Sequence, residues 1–272
     1  MRRGRIETIT SFSNERIKMI RALELRKGRR EHGQFVAEGT SILLTARDKG
    51  FKPTTVVVRT GAAEENTATQ SVVEWALDSG ADVIEVPNAL LEKIASKDNP
   101  QSVLGLFPIA FAEMPEPKSI KRTETWIALE EIRDPGNLGT IIRTAHAAGV
   151  SGIILAGTCC DPHQRECVRA TMGSIFSVPL VPMPRDALLD LMAAWSGETI
   201  ATHLKAATDF RALETKGPEL IVMGREGPGL SEAVAAACSI KTRIPMVADI
   251  DSLNLAIATA LVIYQVRQDR LR

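Results

Sequence analysis

The sequence has few of the residues that mark secreted, disulfide-stapled or metal-binding proteins. Only four of its 272 residues are cysteine, namely Cys159, Cys160, Cys167 and Cys238, and none belongs to a Cys-x-x-Cys pair. Adjacent cysteines such as Cys159 and Cys160 do not form an ordinary disulfide with each other. We therefore predict reduced, mostly structural thiols, a cytoplasmic protein, and no metal site.

Long apolar runs are also missing, and no stretch approaches the 18 residues that a membrane-spanning helix needs. The first residues, Met-Arg-Arg-Gly-Arg-Ile-Glu, contain no apolar core, so we do not expect a secretory signal. Aromatic residues make up only 4% of a chain that is 44% hydrophobic. A core of Ala, Val, Ile and Leu is typical of layered α/β proteins.

Net charge is likewise absent, since 33 basic residues balance 33 acidic ones. The distribution is uneven, however, because residues 1–33 contain ten Lys or Arg and four Glu. Such a basic segment attracts phosphates without sequence preference. The alternative is a solvated helix face near a frayed end of the chain.

The first half of the chain alternates between helical and strand patterns, which predicts a small α/β domain over residues 1–112. The predicted helices cover 14–31, 41–48, 71–79 and 89–95, and the predicted strands cover 35–38, 54–59, 82–86 and 103–110. Residues 113–124 are polar, contain two prolines and show no periodicity, so they are the best candidate for a linker.

The second half, 125–272, alternates again. Its apolar strands lack the polar alternation of a half-exposed sheet, so they predict a parallel sheet covered on both faces. Predicted strands are 126–129, 152–155, 199–202, 219–223 and 242–245, and predicted helices are 138–148, 165–171, 185–194 and 252–267.

Three segments of this half contain more Gly, Pro and polar residues than folding alone requires. In the first, residues 131–143, a strand ends in Asp-Pro-Gly-Asn and a helix begins. Asn137 lies near the helix N-terminus, where it can cap the helix or point into a cleft. Arg143 follows six residues later. The alternative is an ordinary loop followed by an exposed arginine.

In the second segment, 220–232, an apolar strand runs into three glycines, a proline and Glu226. Such a loop lets the backbone approach a ligand closely. It lacks the Lys-Ser or Lys-Thr of a P-loop, and it is not a dinucleotide-binding Gly-x-Gly-x-x-Gly turn. The alternative is a tight turn capped by Ser231 or Glu232.

In the third segment, 244–258, Asp249 and Asp251 lead to Ser252, which we predict to cap the last helix. Asn254 would then lie inside the first turn, among Ala, Leu and Ile. A buried amide in such surroundings needs a hydrogen-bond partner. Alternatively, Asn254 is only a residue of the helix start.

In this order, the three segments resemble the three motifs of the SpoU/TrmH branch of the SPOUT methyltransferases. The resemblance covers the second half, including the connecting segment 161–179. The first half resembles the L30e-like substrate-binding domain of family members that act on ribosomal RNA, with Glu38-Gly39 and Asn99-Pro100-Gln101 at similar places.

The resemblance implies a parallel α/β domain with a deep trefoil knot, although knots are rare. It implies S-adenosylmethionine as methyl donor, held by Gly224, Ile244, Leu253 and, as a weaker match, Thr202. It also implies a homodimer formed through the C-terminal domain, with no metal and no membrane. The implied substrate is the ribose 2′-hydroxyl of an RNA, and ribosomal RNA is favoured over transfer RNA.

The same resemblance assigns Arg143 as the main catalytic residue, together with Asn137, Glu226, Ser252 and Asn254. A guanidinium is a poor base. Either a perturbed Arg143 accepts the proton, or it stabilises charge and grips phosphate while water or Glu226 takes the proton.

The sequence departs from the family pattern at two places. Arg225 replaces the usual Asn or Ser before Glu226, and it either reaches RNA phosphate or is solvated. Leu255-Ala256 replaces the more frequent Val-Ser. A relative that binds RNA without catalysis is the remaining alternative, and the intact motif residues argue against it.

Overall fold

The structure, a computed structural model, describes residues 3–95, 100–203, 206–247, 250 and 252–271. Asn99, Asp249 and Asp251, which the sequence analysis singled out, lie outside these ranges. The chain forms two compact units. The first runs to Ala110 and also includes Asp161–Ser177, and the second consists of Phe111–Cys160 and of the chain from Val178 onward. The division into 1–112, a linker at 113–124 and 125–272 stays a proposal.

The elements alternate along the chain as the sequence predicts. The strands are β1 (Ile6–Thr8), β2 (Gln34–Glu38), β3 (Thr55–Arg59), β4 (Asp82–Val86), β5 (Val103–Pro108), β6 (Thr125–Glu130), β7 (Gly152–Ala156), β8 (Leu180–Met183), β9 (Glu198–Thr202), β10 (Thr208–Asp209), β11 (Glu219–Met223) and β12 (Ile240–Arg243). The helices are α1 (Glu15–Ala22), α2 (Arg26–His32), α3 (Thr40–Asp48), α4 (Ala62–Glu65), α5 (Thr67–Asp78), α6 (Asn88–Ile94), α7 (Pro135–Ala147), α8 (Arg165–Ala170), α9 (Arg185–Ala194), α10 (Glu232–Ala237) and α11 (Leu255–Arg267). The sequence did not predict β1, β8, β10, α4 or α10, all of which are short.

In the first unit, the described strands form a mixed sheet in the order β1-β4-β3-β5-β2. The range 14–31 is largely helical as predicted, but it is two helices and not one, because the chain breaks into α1 and α2 around Leu25, whose backbone is extended. Arg29 explains the break. Its guanidinium donates to the carbonyl oxygens of Leu23 and Glu24, each at 2.8 Å, and to the Asp161 carboxylate at 2.7 Å. Only 2% of Arg29 is exposed, so this member of the basic segment is structural.

The segment Asp161–Ser177 belongs to the first unit through polar and aromatic contacts. Arg165 donates to the buried carboxylate of Glu38 at 2.6 Å. The ring of Phe176 lies 4.8 Å from that of Phe107, centroid to centroid. His163 packs against Phe35 with 4.8 Å between ring centroids. These contacts bury a segment whose sequence lies between two strands of the second unit.

In the second unit, the described strands form an all-parallel sheet in the order β10-β12-β9-β11-β6-β7-β8. This confirms the predicted fold class. Every residue of β6, β7 and β11 is buried, which explains why these strands lack polar alternation. Strands β6 and β11 are neighbours, so the loops that follow them leave the same edge of the sheet. The trefoil knot stays a prediction.

The last helix is anchored to the sheet by an ion-pair network. Glu219, fully buried at the start of β11, accepts hydrogen bonds from Arg270 at 2.7 and 2.8 Å, from Thr125 at 2.8 Å and from Thr215 at 2.9 Å. Arg267 donates to Thr125 at 2.9 Å, and burial lowers the pKa of Arg267. Helix α11 also packs against α7. No described helix is long and apolar enough to cross a membrane.

Candidate active site

Asn137 is placed by the turn that joins β6 to α7. Asp134 caps this helix by accepting from the backbone N–H of Asn137 at 2.6 Å, and Pro135 occupies the first helical position, where no amide donor is needed. Asn137 is therefore not the cap. Its side chain is free to project from the first turn, and its Nδ2 donates to Glu226 Oε1 at 2.7 Å.

Glu226 lies in a tight turn directly after β11. The backbone of Arg225 pairs with that of Gly229 through two hydrogen bonds, N to O, at 3.2 and 3.0 Å. Gly227 and Gly229 have φ of 84° and 73°, a region that favours glycine. At Gly224, an added Cβ would lie 2.2 Å from the backbone of Gly229 and Leu230. The glycines therefore allow the turn to fold back on the strand end and present Glu226.

Asn254 brings the third segment to the same place. It caps α11, because its Oδ1 accepts from the backbone N–H groups of Ala256 at 2.9 Å and Ile257 at 3.3 Å. The prediction that Ser252 caps this helix, with Asn254 inside the first turn, is therefore wrong. Asn254 Nδ2 donates to Asn137 Oδ1 at 2.9 Å. Local sequence did not decide between Ser252 and Asn254, since both residue types favour the cap position.

These contacts form a polar chain from Asn254 through Asn137 to Glu226. Its direction follows from the helix cap. Because the cap uses Asn254 Oδ1, the amide nitrogen of Asn254 must donate, and Asn137 therefore turns its oxygen toward Asn254. The nitrogen of Asn137 then faces Glu226, which accepts. One side chain from each of the three segments is held in a fixed order.

A pocket of about 1020 Å³ opens beside this chain. Its walls combine the backbone of 224–230 with apolar side chains such as Met246 and with a few polar groups. All four residues expected to bind the methyl donor line it, namely Thr202, Gly224, Ile244 and Leu253. Glu226, Ser252 and Asn254 line it as well. Its size and mixed walls are those of a small-molecule site.

Arg143 is not among the residues that line this pocket. It lies six residues after Asn137 on α7, which is about 240° around an α-helix, so the two side chains leave different faces. Arg143 is exposed, and its side chain makes no hydrogen bond or ion pair within the described part of the chain. Within the described part of one chain, no hydrogen bond or ion pair therefore joins Arg143 to the other four predicted catalytic residues.

Several contacts at the site could not be read from the sequence. Arg225, expected either to reach phosphate or to be solvated, has a side chain that is 35% exposed and pairs with Glu131, its Nη1 lying 3.3 Å from Glu131 Oε2. Glu130, Glu131 and Arg185 form the rest of this cluster. The Asp-Pro pair at 134–135 was a readable helix-start signal. No local signal points to Glu131 or Arg185, which are 54 residues apart. Among the described residues no group of His, Cys, Asp and Glu is arranged to hold a metal ion.

Comparisons with known proteins agree with this arrangement. The model of the SpoU rRNA Methylase family matches residues 124–264, half of the chain, including all three segments. The chain belongs to the SpoU rRNA methylase family. A second model, of the MRM3-like substrate binding domain, matches residues 14–105 of this SpoU protein. The resemblance inferred from the motifs is confirmed, and the protein is a SpoU-type RNA methyltransferase.

Individual relatives match the SpoU protein along nearly its whole length. An uncharacterized tRNA/rRNA methyltransferase of Synechocystis is 32% identical over 97% of this chain and 95% of its own. The 23S rRNA (guanosine(2553)-2′-O)-methyltransferase RlmP of Bacillus subtilis is 24% identical over 96% and 100%. The AdoMet-bound rRNA methyltransferase from Sinorhizobium meliloti is 38% identical, with a TM-score of 0.88, and covers 98% of this chain and 99% of its own.

Proposed function

We propose that this protein transfers the methyl group of S-adenosylmethionine to a ribose 2′-hydroxyl of ribosomal RNA. The observation that carries the proposal is the hydrogen-bonded chain Asn254, Asn137, Glu226, whose two end members line the pocket. Membership of the SpoU family gives the reaction class. The crystallised Sinorhizobium meliloti relative, described as an AdoMet-bound rRNA methyltransferase, supports both the donor and the substrate.

The pocket suits the methyl donor in size and in chemistry. A volume of about 1020 Å³ lies at the upper end of the range for small-molecule sites. Leu253, Ile244 and Met246 offer apolar surface for an adenosyl group, and Glu226 and Glu232 offer negative charge to a sulfonium. We propose Thr202, Gly224, Ile244 and Leu253 as the donor-binding set.

The reaction is a direct displacement in which the 2′-oxygen attacks the methyl carbon, the carbon–sulfur bond breaks, and the hydroxyl proton leaves. Positioning the two reactants contributes much of the rate. A guanidinium stays protonated at neutral pH, so we assign Arg143 to stabilising the developing oxyanion and the nearby phosphate. Glu226 accepts the proton, directly or through water, while Asn137 and Asn254 fix its carboxylate and Ser252 lines the substrate side.

We propose that Arg143 reaches an active site in a homodimer. Helix α11 exposes three apolar side chains on one face, Ile257, Leu261 and Tyr264, which are 52%, 38% and 48% exposed. Their spacing of four and then three residues forms a continuous stripe. Arg143 lies on α7, which packs against α11. A second copy covering this stripe would bury it and bring Arg143 of one chain toward the pocket of the other.

The substrate proposal extends to the first unit. After Arg29 is set aside as structural, Arg21, Arg26, Lys27 and Arg30 remain exposed on α1 and α2. Such a cluster attracts RNA phosphates. The match to a substrate-binding domain over residues 14–105 supports RNA binding by this unit. None of the four cysteines forms a disulfide in the described part of the chain, which fits the proposed cytoplasmic location.

Two experiments test the proposed function. Calorimetry of the full chain with S-adenosylmethionine should give a measurable heat of binding, and its absence would identify a relative without a donor site. Mapping of ribose methylation on ribosomal and transfer RNA, with and without the gene, should show one lost position in ribosomal RNA. Loss confined to transfer RNA would overturn the substrate assignment while leaving the chemistry intact.

A further inference from the structure

The turn that presents Glu226 is held at both ends by two consecutive carboxylates. At its far end, Ser231 donates to the buried Glu130, from Oγ to Oε1 at 2.6 Å and from the backbone N–H to Oε2 at 2.8 Å. At its near end, Arg225 pairs with Glu131 across 3.3 Å. Residues 225–231 are thus fastened to the end of β6 at Arg225 and at Ser231, through contacts that do not involve Asn137.

A single arginine joins the two carboxylates. Arg185, the first residue of α9, places its Nε 3.0 Å from Glu130 Oε1 and donates through Nη2 to Glu131 Oε1. Consecutive side chains of a strand point to opposite faces, so one guanidinium does not ordinarily contact both. The backbone of Glu131 resolves this conflict.

Glu131 has a φ of 53°, in the left-handed region that a non-glycine residue rarely adopts. Its backbone N–H still bonds the carbonyl of Ala156 at 3.0 Å, so the turn occurs just as the strand ends. The unusual backbone swings the Glu131 carboxylate to the side of Glu130. Strained backbone persists only where the surroundings hold it, and two guanidinium groups hold this one.

We propose that Glu131, Arg185 and Arg225 are positioning residues, which hold the turn so that Glu226 meets Asn137. The proposal rests on the proposed function and deepens it. Arg225 and Glu226 are adjacent in the chain. The side chain of Arg225 pairs with Glu131, and that of Glu226 accepts from Asn137. Arg225 thereby sets the direction of Glu226 without touching the reactants. Arg225, which replaces the usual Asn or Ser of the family, thus provides a second anchor for the catalytic carboxylate of Glu226.

The test compares Arg225→Ala with Arg122→Ala, a change at an exposed arginine of the same unit. Arg225→Ala should lower kcat about tenfold or more, because small displacements of a catalytic group are costly. The affinity for RNA and its dependence on salt should not change. Glu131→Gln should have the same effect, and the double variant Glu131→Gln/Arg225→Ala should be no worse than either single variant. Arg122→Ala should behave as the native protein.

Two further variants keep the test independent of misfolding. Glu131→Gly removes the carboxylate and also the backbone strain, so it should fold at least as well as the native chain and still lose kcat. Arg225→Lys keeps the charge at a different reach and should recover part of the rate. Weaker RNA binding with a shallower salt dependence, at unchanged kcat, would show that Arg225 contacts phosphate and would overturn the proposal.

Hydrogen exchange separates this proposal from the proposed function. In the full chain without RNA or methyl donor, the amides of 225–231 should exchange faster in Glu131→Gln and Arg225→Ala than in the native protein. Unchanged protection would overturn the positioning role, even if methylation is observed. Increased exchange in a protein that methylates no RNA would uphold the anchor and refute the function.

Discussion

Asn137 donates its side-chain amide to the carboxylate of Glu226 across 2.7 Å, although 89 residues separate the two in the chain. Asn137→Asp would replace this donor by a second carboxylate and repel Glu226. A hydrogen bond to a charged group contributes about 1.5–3 kcal/mol, so kcat should fall roughly tenfold to a hundredfold. Steady-state methylation measures the change, with the exposed Thr140→Ala on the same helix as control. Full activity in Asn137→Asp would remove Glu226 from the mechanism.

Arg143 and Glu226 allow a test of the dimer by mixing. Arg143→Ala and Glu226→Gln should each be inactive alone. If Arg143 serves the pocket of the other chain, coexpression should restore about a quarter of the native activity, because half of the dimers are hybrids with one intact site. No recovery in verified hybrids would place Arg143 in its own chain's site. Leu261→Glu should give monomers in sedimentation and abolish activity.

Gly224 should control binding of the methyl donor. An alanine Cβ there would lie 2.2 Å from the backbone of Gly229 and Leu230, so the turn would have to open. We expect Gly224→Ala to weaken S-adenosylmethionine binding at least about tenfold in calorimetry, since a Cβ this close forces the backbone to move. Thr140→Ala is the control, because Thr140 is exposed and does not line the pocket. Equal affinity in the two variants would argue against donor binding beside Gly224.

Arg270 should stabilise the fold rather than catalysis. Its removal leaves Glu219 fully buried without its closest cation, and breaking such a pair costs about 3 kcal/mol. Urea unfolding should show this loss in Arg270→Ala. The double variant Glu219→Gln/Arg270→Met should lose less, because no charge is left buried. A double variant less stable than Arg270→Ala would contradict the explanation.

His163 should make the first unit sensitive to acid. Burial lowers its pKa from 6.5 to about 4, against an opposing effect of Asp161 and with a smaller contribution from Arg29. The folded chain therefore keeps His163 neutral, while the unfolded chain binds a proton below pH 6.5. Its contribution is complete above pH 6.5 and falls as the pH drops toward 4, by about 3 kcal/mol in all. Stability of His163→Gln should depend less on pH over this interval, as urea titrations at several pH values would show.

The sequence predicted the structure well where a local residue pattern is compatible with only one kind of element. Fully apolar segments such as 126–129 predict buried parallel strands, and the structure has them at β6 and its neighbours. It was less informative where partners are distant. Arg29 stands in a basic segment and looks like a surface residue, yet its partner Asp161 is 132 residues away. Ser252 and Asn254 are both good cap residues, and the structure has Asn254 as the cap, with a further bond to the distant Asn137.

The placement of Asp161–Ser177 makes the chain change units three times, after residues 110, 160 and 177. If the N-terminal half were exchanged between relatives at the predicted linker, this segment would stay with the C-terminal half. Its contacts with Phe35, Phe107 and Glu38 would then be replaced by contacts with residues of the other relative. Recombination at that point would therefore disrupt the packing of this segment in the first unit, and the two halves should be inherited together. A fragment of 125–272 alone would likewise expose Phe176 and Val168 and should aggregate.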